Sequence, residues 1–223
     1  MDAIEDTFVL CVDLDGCCAW YEQAIKIVVA RELGRDPDTM SLQDDWQFEK
    51  LDWGIADRAQ FLELHTMAVA EGMFRTMPEI PGASDALWEL SDEGVHIRIV
   101  THRFVHHWAH DQVATDTTAW LQEKRPDGRP RIPYRDLCFL GQKSDVAGDV
   151  IIEDAPHNIE ALWAARDHGK PAPQPIVFDQ AYNRHVAGPR AYNWDDVKAL
   201  VRAKRVWKTS DPLARDNALH APG

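Results

Sequence analysis

The stretch Phe8-Val9-Leu10-Cys11-Val12-Asp13-Leu14-Asp15-Gly16 constrains this chain more than any other. An apolar run rich in Val, Leu and Phe reads as a strand buried on both faces. Asp is depleted in strands, so the two carboxylates belong at the carboxyl end, where open α/β sheets bind ligands. If the extended geometry persists, Asp13 and Asp15 project from the same side, because side chains alternate with period two. Two carboxylates held together repel, which a cation or a shared proton relieves. Gly16 then lets the chain turn sharply. For this segment alone, an Asp-Gly turn after a strand is the plain alternative.

The rest of the chain repeats the strand pattern. Runs at 7–12, 96–101, 137–140, 150–153 and 175–178 read as strands. Amphipathic patterns at 83–93, about 105–124, 158–168 and 194–204 read as helices between or after them. Such alternation predicts an α/β fold, a doubly wound and mostly parallel Rossmann-like sheet. One interval breaks the rhythm. More than eighty residues separate the first two strand runs, where a single crossover helix needs far fewer. Within it, 21–33 and 56–72 look helical, and 44–53 looks irregular or partly helical. The expected organisation is therefore 1–18 as the first core strand and its turn, 19–76 as a helical insertion over the strand ends, 77–208 as the remaining core, and 209–223 as a loosely ordered tail. Ile80-Pro81-Gly82-Ala83 marks the return to the core.

Acidic residues outnumber basic ones by 37 to 24, for a net charge of −13. That balance argues against polymeric nucleic acid or an anionic membrane as partner. A small anionic substrate stays open, since a local metal and a few cations override the global field. No apolar run is long enough to span a bilayer, and no signal peptide is evident. The cysteines Cys11, Cys17, Cys18 and Cys138 show neither metal-type nor disulfide-framework spacing. Cys11 and Cys138 read as small core residues, and adjacent Cys17 and Cys18 are expected to be unreactive. A reducing cytoplasm suits this usage.

Three further strand runs end in groups capable of chemistry. Ile97-Arg98-Ile99-Val100-Thr101 ends in a hydroxyl, Gly141-Gln142-Lys143 brings a cation, and Val150-Ile151-Ile152-Glu153-Asp154 ends in two acids. With Asp13-Leu14-Asp15-Gly16 they form an ordered set that resembles the four motifs of the haloacid dehalogenase superfamily of hydrolases, with a helical cap after the first. The resemblance covers the core end to end. It implies phosphoryl transfer through an aspartyl phosphate, with Asp13 as nucleophile. It makes Asp15 general acid, then base. Superfamily dehalogenases lack an acid at that position, so the chain looks like a phosphatase or phosphotransferase. The implied cofactor is Mg²⁺, held by Asp13, the backbone carbonyl of Asp15, and Asp154. Lys143 would neutralise Asp13 and the transferring group, and Thr101 would donate to a phosphoryl oxygen. Glu153 would support these groups from behind.

Outside the motifs, Gly72-Met73-Phe74-Arg75 and Asp179-Gln180-Ala181-Tyr182-Asn183-Arg184 before Trp194-Asp195-Asp196 resemble the 5′(3′)-deoxyribonucleotidase family. That resemblance implies a nucleoside monophosphate as substrate and a base held among cap aromatics. The insertion offers Trp20, Tyr21, Trp46, Phe48, Trp53, Phe61 and Phe74. Most of these are expected to pack its core, and Phe48, Trp53 and Phe74 are the candidates for the base. Gly16, His102 and Arg103 are further substrate-site candidates. The chain departs from that family at His102-Arg103, where a small hydroxyl residue and proline are usual. The Arg either adds a phosphate contact or changes which monophosphate fits. His102, His106, His107 and His110 include pairs four apart that suit zinc on one helix face, but no nearby Cys completes a set. A polar helix face near the site mouth is the preferred reading there.

Two other functions stay open on sequence alone. One is a phosphatase for another small ester such as a sugar phosphate or phosphoglycolate. The other is a catalytically silent member that binds a ligand or partner, against which the retained Asp13, Asp15, Thr101, Lys143 and Asp154 argue. A homodimer is also kept open. A kinase is not expected, since no glycine-rich loop followed by Lys and Ser/Thr is present.

Overall fold

The structure, a computed structural model, describes residues 7–104 and 109–210. Its centre is a six-stranded sheet with every neighbouring pair parallel. The strands are β1 (Val9–Val12), β2 (His96–Thr101), β3 (Asp136–Phe139), β4 (Val150–Glu153), β5 (Gln174–Phe178) and β6 (Arg190–Ala191). They lie in the order β3-β2-β1-β4-β5-β6. The chain thus winds outward from β1 through β2 and β3, then returns beside β1 and winds the other way. β1 and β4 form the switch point of the sheet, where the crevice at the strand ends receives ligands in open α/β folds. Register places Val12 beside Ile99 and Ile152, so Asp13 emerges between two neighbours already committed to the sheet.

The five strand runs expected from sequence are all present within a residue or two. β6 was not expected. At two residues it has too little length to carry a hydrophobic pattern, and it exists because Arg190 and Ala191 pair with Val177 and Phe178. Burial explains the legible ones: β1 and β4 are buried along their whole length.

Helices α1 (Tyr21–Glu32), α2 (Arg58–Ala70) and the short α3 (Met73–Thr76) lie between β1 and β2, followed by α4 (Ala83–Asp92). α2 starts at Asp57, whose carboxylate accepts from Gln60 N–H at 2.9 Å, a conventional N-cap. α4 is started by Glu79 instead. Its carboxylate takes the Ser84 N–H (2.8 Å) and hydroxyl (2.6 Å). The 44–53 segment contains only a single 3₁₀ turn, Phe48–Lys50. The two chain crossings into this region are hydrogen-bonded to each other, Trp20 N–H to Pro78 O at 2.8 Å and Ile80 N–H to Cys18 O at 2.7 Å.

After β2, α5 (His110–Gln122) is shorter than the expected 105–124, whose first residues lie outside the described ones. α6 (Pro156–Asp167) and α7 (Trp194–Ser210) complete the fold. α7 runs beyond the expected 204, so only 211–223 of the expected tail lies outside the described residues. Among the described residues, no helix is long and apolar enough to cross a membrane.

Candidate active site

The floor of the site is a chain of buried charges at the β1/β4 switch. Lys143, from the 3₁₀ turn after β3, places Nζ 2.7 Å from Asp13 Oδ1 and 2.7 Å from Glu153 Oε2. Glu153 has no exposed surface and is fully engaged. It also accepts from Ala155 N–H (3.0 Å) and from Asn158 Nδ2 (3.2 Å). Its neighbour Asp154 accepts from the Tyr182 hydroxyl, and its backbone oxygen accepts from Asn183 Nδ2 at 2.8 Å. Tyr182 and Asn183 sit in the 3₁₀ turn Ala181–Asn183 after β5. Tyr182 and Asn183 of the segment noted in the sequence therefore hold Asp154 in place.

Burial dominates the electrostatics here. It pushes the Asp13 carboxyl well above the ordinary range. Lys143 opposes that rise, while Glu153, Asp154 and Asp15 add to it. Asp154 is pushed up to about 7 by burial and by Glu153, against the pull of the Tyr182 hydrogen bond and Lys143. Burial alone would discharge Lys143, yet Asp13 and Glu153 hold it charged, above its usual value. Asp13, Glu153 and Asp154 face one buried ammonium, a local excess of negative charge that a cation offsets.

The donors suit a hard cation. Among the described residues, one group has metal-binding spacing: single ligand atoms of Asp13, Cys17 and Asp154 lie within 4.8 Å of one another. Burial pushes the Cys17 thiol well up, with Asp154, Asp13 and Glu153 adding to the effect. Two of the three donors are carboxylates, and carboxylate oxygens are the ligands a hard cation such as Mg²⁺ prefers. No histidine belongs to such a group among the described residues. His106 and His107, half of the zinc candidates, lie outside those residues. His110 stacks on Phe104 with centroids 4.5 Å apart. Burial likewise raises the Cys18 and Cys11 thiols, so neither is a reactive nucleophile.

Asp13 and Asp15 both border the cavity, but strand alternation is not the cause, since the strand does not continue through them. β1 ends at Val12, and Leu14 O accepts from Cys18 and Ala19 N–H, both at 2.8 Å. Asp15 then turns to a partner of its own. Its oxygens accept from Nη2 and Nε of Arg103 at 2.6 and 3.0 Å. Arg103, expected to add a phosphate contact or to change which monophosphate fits, borders the cavity and grips Asp15 with its guanidinium. Thr101 is buried at the end of β2 and does not line the cavity. Its Oγ1 accepts the Arg103 backbone N–H at 3.3 Å.

Above this floor is a cavity of about 320 Å³. Gly16, His102, Arg103, Lys143 and Asp154 line its charged end. Phe48 and Phe74, two of the aromatic candidates, line its walls. The third, Trp53, does not. It is fully buried, donates its indole N–H to Ser41 O at 3.0 Å and meets Phe48 edge-on behind the wall. Phe61 lines the cavity instead. It stacks on Phe48 with centroids 4.7 Å apart and rings 5° from parallel, and it borders the cavity with Tyr21 and Trp46. Phe61 sits on α2, whose apolar residues do not form a single clean stripe. Only the fold of α2 against α1 and the Phe48 turn distinguishes a lining ring from a packed one.

Residues 7–206 match the model of the family described as 5′ nucleotidase, deoxy (pyrimidine), cytosolic type C protein. The chain is 36% identical over 200 residues to a "Putative 5′(3′)-deoxyribonucleotidase" of Chlorobaculum tepidum, covering 89% of this chain and 92% of that one. It is 28% identical over 128 residues to a 5′(3′)-deoxyribonucleotidase of Clostridium acetobutylicum, covering 57% and 60%. Among solved structures it resembles a HAD family hydrolase from Deinococcus radiodurans with bound phosphate and sodium. The TM-score is 0.53 at 17% identity, covering 89% of this chain and 96% of that one. It also resembles the "putative HAD-hydrolase YfnB" from Bacillus subtilis bound to magnesium, with a TM-score of 0.52 at 13% identity, covering 87% and 98%. The sheet order, the strand-end motifs and these matches agree: the chain has the fold of the HAD hydrolases, belongs to the cytosolic type C 5′ nucleotidase family and is a phosphoric monoester hydrolase.

Proposed function

We propose that the chain hydrolyses 5′- or 3′-(deoxy)nucleoside monophosphates with Mg²⁺ through an aspartyl phosphate on Asp13. The observation that carries this reading is the position of Asp13, 2.7 Å from Lys143 Nζ, at the charged end of a cavity whose wall is a Phe48/Phe61 stack. A phosphoryl group and a flat ring need such opposite ends. In the first step an Asp13 oxygen bonds to phosphorus while the bond to the ester oxygen breaks, and Asp15 gives that departing oxygen its proton. In the second, water attacks the phosphorus, Asp15 takes the water proton, and the Asp13–phosphorus bond breaks to release phosphate. Lys143 offsets charge on Asp13 and on the transferring group. Asp13 and Asp154 would hold the Mg²⁺, which supplies charge neutralisation for an anion entering an acidic site. The buried Thr101 supports this site through the Arg103 backbone. The helices between β1 and β2 act as the cap that carries the ring-binding wall.

Phosphate release from 5′- and 3′-ribo- and deoxyribonucleotides and from sugar phosphates, with and without Mg²⁺, tests the reading. Turnover of a few nucleotides, lost by about 10³-fold in Asp13→Asn, is expected, ~4 kcal/mol of barrier. Turnover confined to sugar phosphates would overturn the nucleotide assignment. Wild-type turnover by Asp13→Asn would overturn Asp13 as nucleophile.

A further inference from the structure

Arg103 borders the cavity, yet most of its guanidinium donors are committed within the protein. Its side chain is 1% exposed, against 26% for Asp15. Besides the two bonds to Asp15, Nη1 donates to Thr117 Oγ1 at 3.0 Å, and the guanidinium carbon lies 4.3 Å from the Phe74 ring centre. The backbone N–H of Arg103 is tied to the Thr101 hydroxyl at 3.3 Å. A planar fork fixed on α5, on Phe74 and on the end of β2 fixes in turn whatever carboxylate it grips.

We infer that Arg103 is a positioning residue for Asp15. It holds the plane and depth of that carboxylate against the cavity and acts on the departing ester oxygen only through it. The inference rests on the role given to Asp15 above. Asp15 lies on the turn after β1 with about a quarter of its side chain open to solvent. Without the fork it gains rotamers that miss the departing oxygen. Misplacing a reacting group by about 1 Å costs roughly 10²-fold in rate. The Phe74 contact adds a second consequence, since one residue of the cavity wall bears on the proton-transfer group through Arg103.

Leaving-group chemistry separates this role from the alternatives. An alkoxide departing from a nucleotide needs a proton, whereas p-nitrophenolate leaves without one. Arg103→Met, which keeps an unbranched chain beside Phe74, should lower kcat/KM on nucleoside monophosphates by about 10- to 100-fold. Its kcat/KM on p-nitrophenyl phosphate, which leaves out the Asp15-assisted second step, should fall less than about threefold, with inhibition by inorganic phosphate within about threefold of wild type. Combined with Asp15→Asn, it should add no further loss, because the two residues act as one unit. Equal losses of kcat/KM on both esters would overturn the inference. So would a shared rise in KM with weaker inhibition by inorganic phosphate, the sign of a direct phosphate contact. If Arg103→Met does not fold, Arg103→Lys keeps the charge without the fork. The same ester selectivity is expected of it, and full activity on nucleotides would overturn the role. Should the wild type hydrolyse glycerol phosphate but no nucleotide, the nucleotide assignment falls, and the same contrast is read with glycerol phosphate against p-nitrophenyl phosphate.

Discussion

A Cβ on Gly16 would stand 2.1 Å from Oδ2 of Asp154, well inside van der Waals contact. The same glycine holds φ at +82°, a left-handed conformation that side chains resist. Gly16→Ala therefore strains the turn and pushes Asp154 off its Tyr182 bond. A stability loss of about 1–3 kcal/mol is expected, with a rate loss on the order of 10²-fold. Thermal melts and phosphate-release kinetics on the same preparation check both, and a variant with wild-type rate would show that Asp154 has room to move.

Lys143 joins Asp13 and Glu153 at 2.7 Å each in a pocket of charge shielded from water. Removing one member of a buried ionic cluster leaves the others uncompensated. Lys143→Met should lose about 3–5 kcal/mol of unfolding free energy, read by urea denaturation in EDTA. Adding Glu153→Gln should recover part of that loss. A double variant no more stable than the single one would place the cost elsewhere.

Tyr182 donates its hydroxyl to Asp154 and meets Trp46 edge-on at 5.5 Å. Tyr182→Phe keeps the ring contact and removes the donor. Partners that orient a metal-binding carboxylate typically matter by about 10–100-fold in affinity, so half-maximal Mg²⁺ should rise by about that factor. The measurement is a Mg²⁺ titration of rate at saturating substrate. An unchanged titration would show that the hydroxyl does not orient Asp154 for a metal.

Trp53 and Phe61 touch the same ring, Phe48, from opposite sides of the cavity wall. Trp53→Phe should cost about 1–3 kcal/mol of stability, as an underfilled core does, while KM stays put. Phe61→Leu should raise KM for nucleotides about 2- to 10-fold, the worth of an aromatic stack. The reverse pattern would place the base-binding face on the other side of Phe48.

Asp136 carries a pH dependence of stability on the edge strand β3. Burial pushes its carboxyl up, but hydrogen bonds from His96 (2.8 Å) and Arg98 (2.7 Å) outweigh burial and hold it below its ordinary value. A carboxyl depressed on folding stabilises fully above the unfolded pKa, and that contribution fades as pH falls through the folded one. Asp136 is partly solvent-screened, so Asp136→Asn should cost about 1 kcal/mol or less at pH 7. The gap from wild type should shrink in urea midpoints as pH falls below the ordinary carboxylate range. A gap that widens on acidification would reverse the sign and refute the assignment.

Legibility tracked how local the cause was. The run ending in Asp13, the hydroxyl at Thr101 and the acids at Glu153 and Asp154 were readable because a fully buried strand must be continuously apolar and its polar terminus stands out. The long interval before β2 was readable by its length alone. β6 carried no such mark, since two residues acquire strand character only from β5 beside them.

What the sequence by itself determined is the sheet, its motif-bearing strand ends and the family they mark, because hydrophobic periodicity and strand-end chemistry are written along the chain. What only the tertiary structure decided is who faces whom. Asp15 turned to Arg103, eighty-eight positions away. Tyr182 came to cap Asp154, Phe61 lined the cavity, and Trp53 withdrew behind Phe48. Those outcomes depend on how non-local surfaces pack and on which buried charge finds a partner, and neither is encoded in any single stretch of residues.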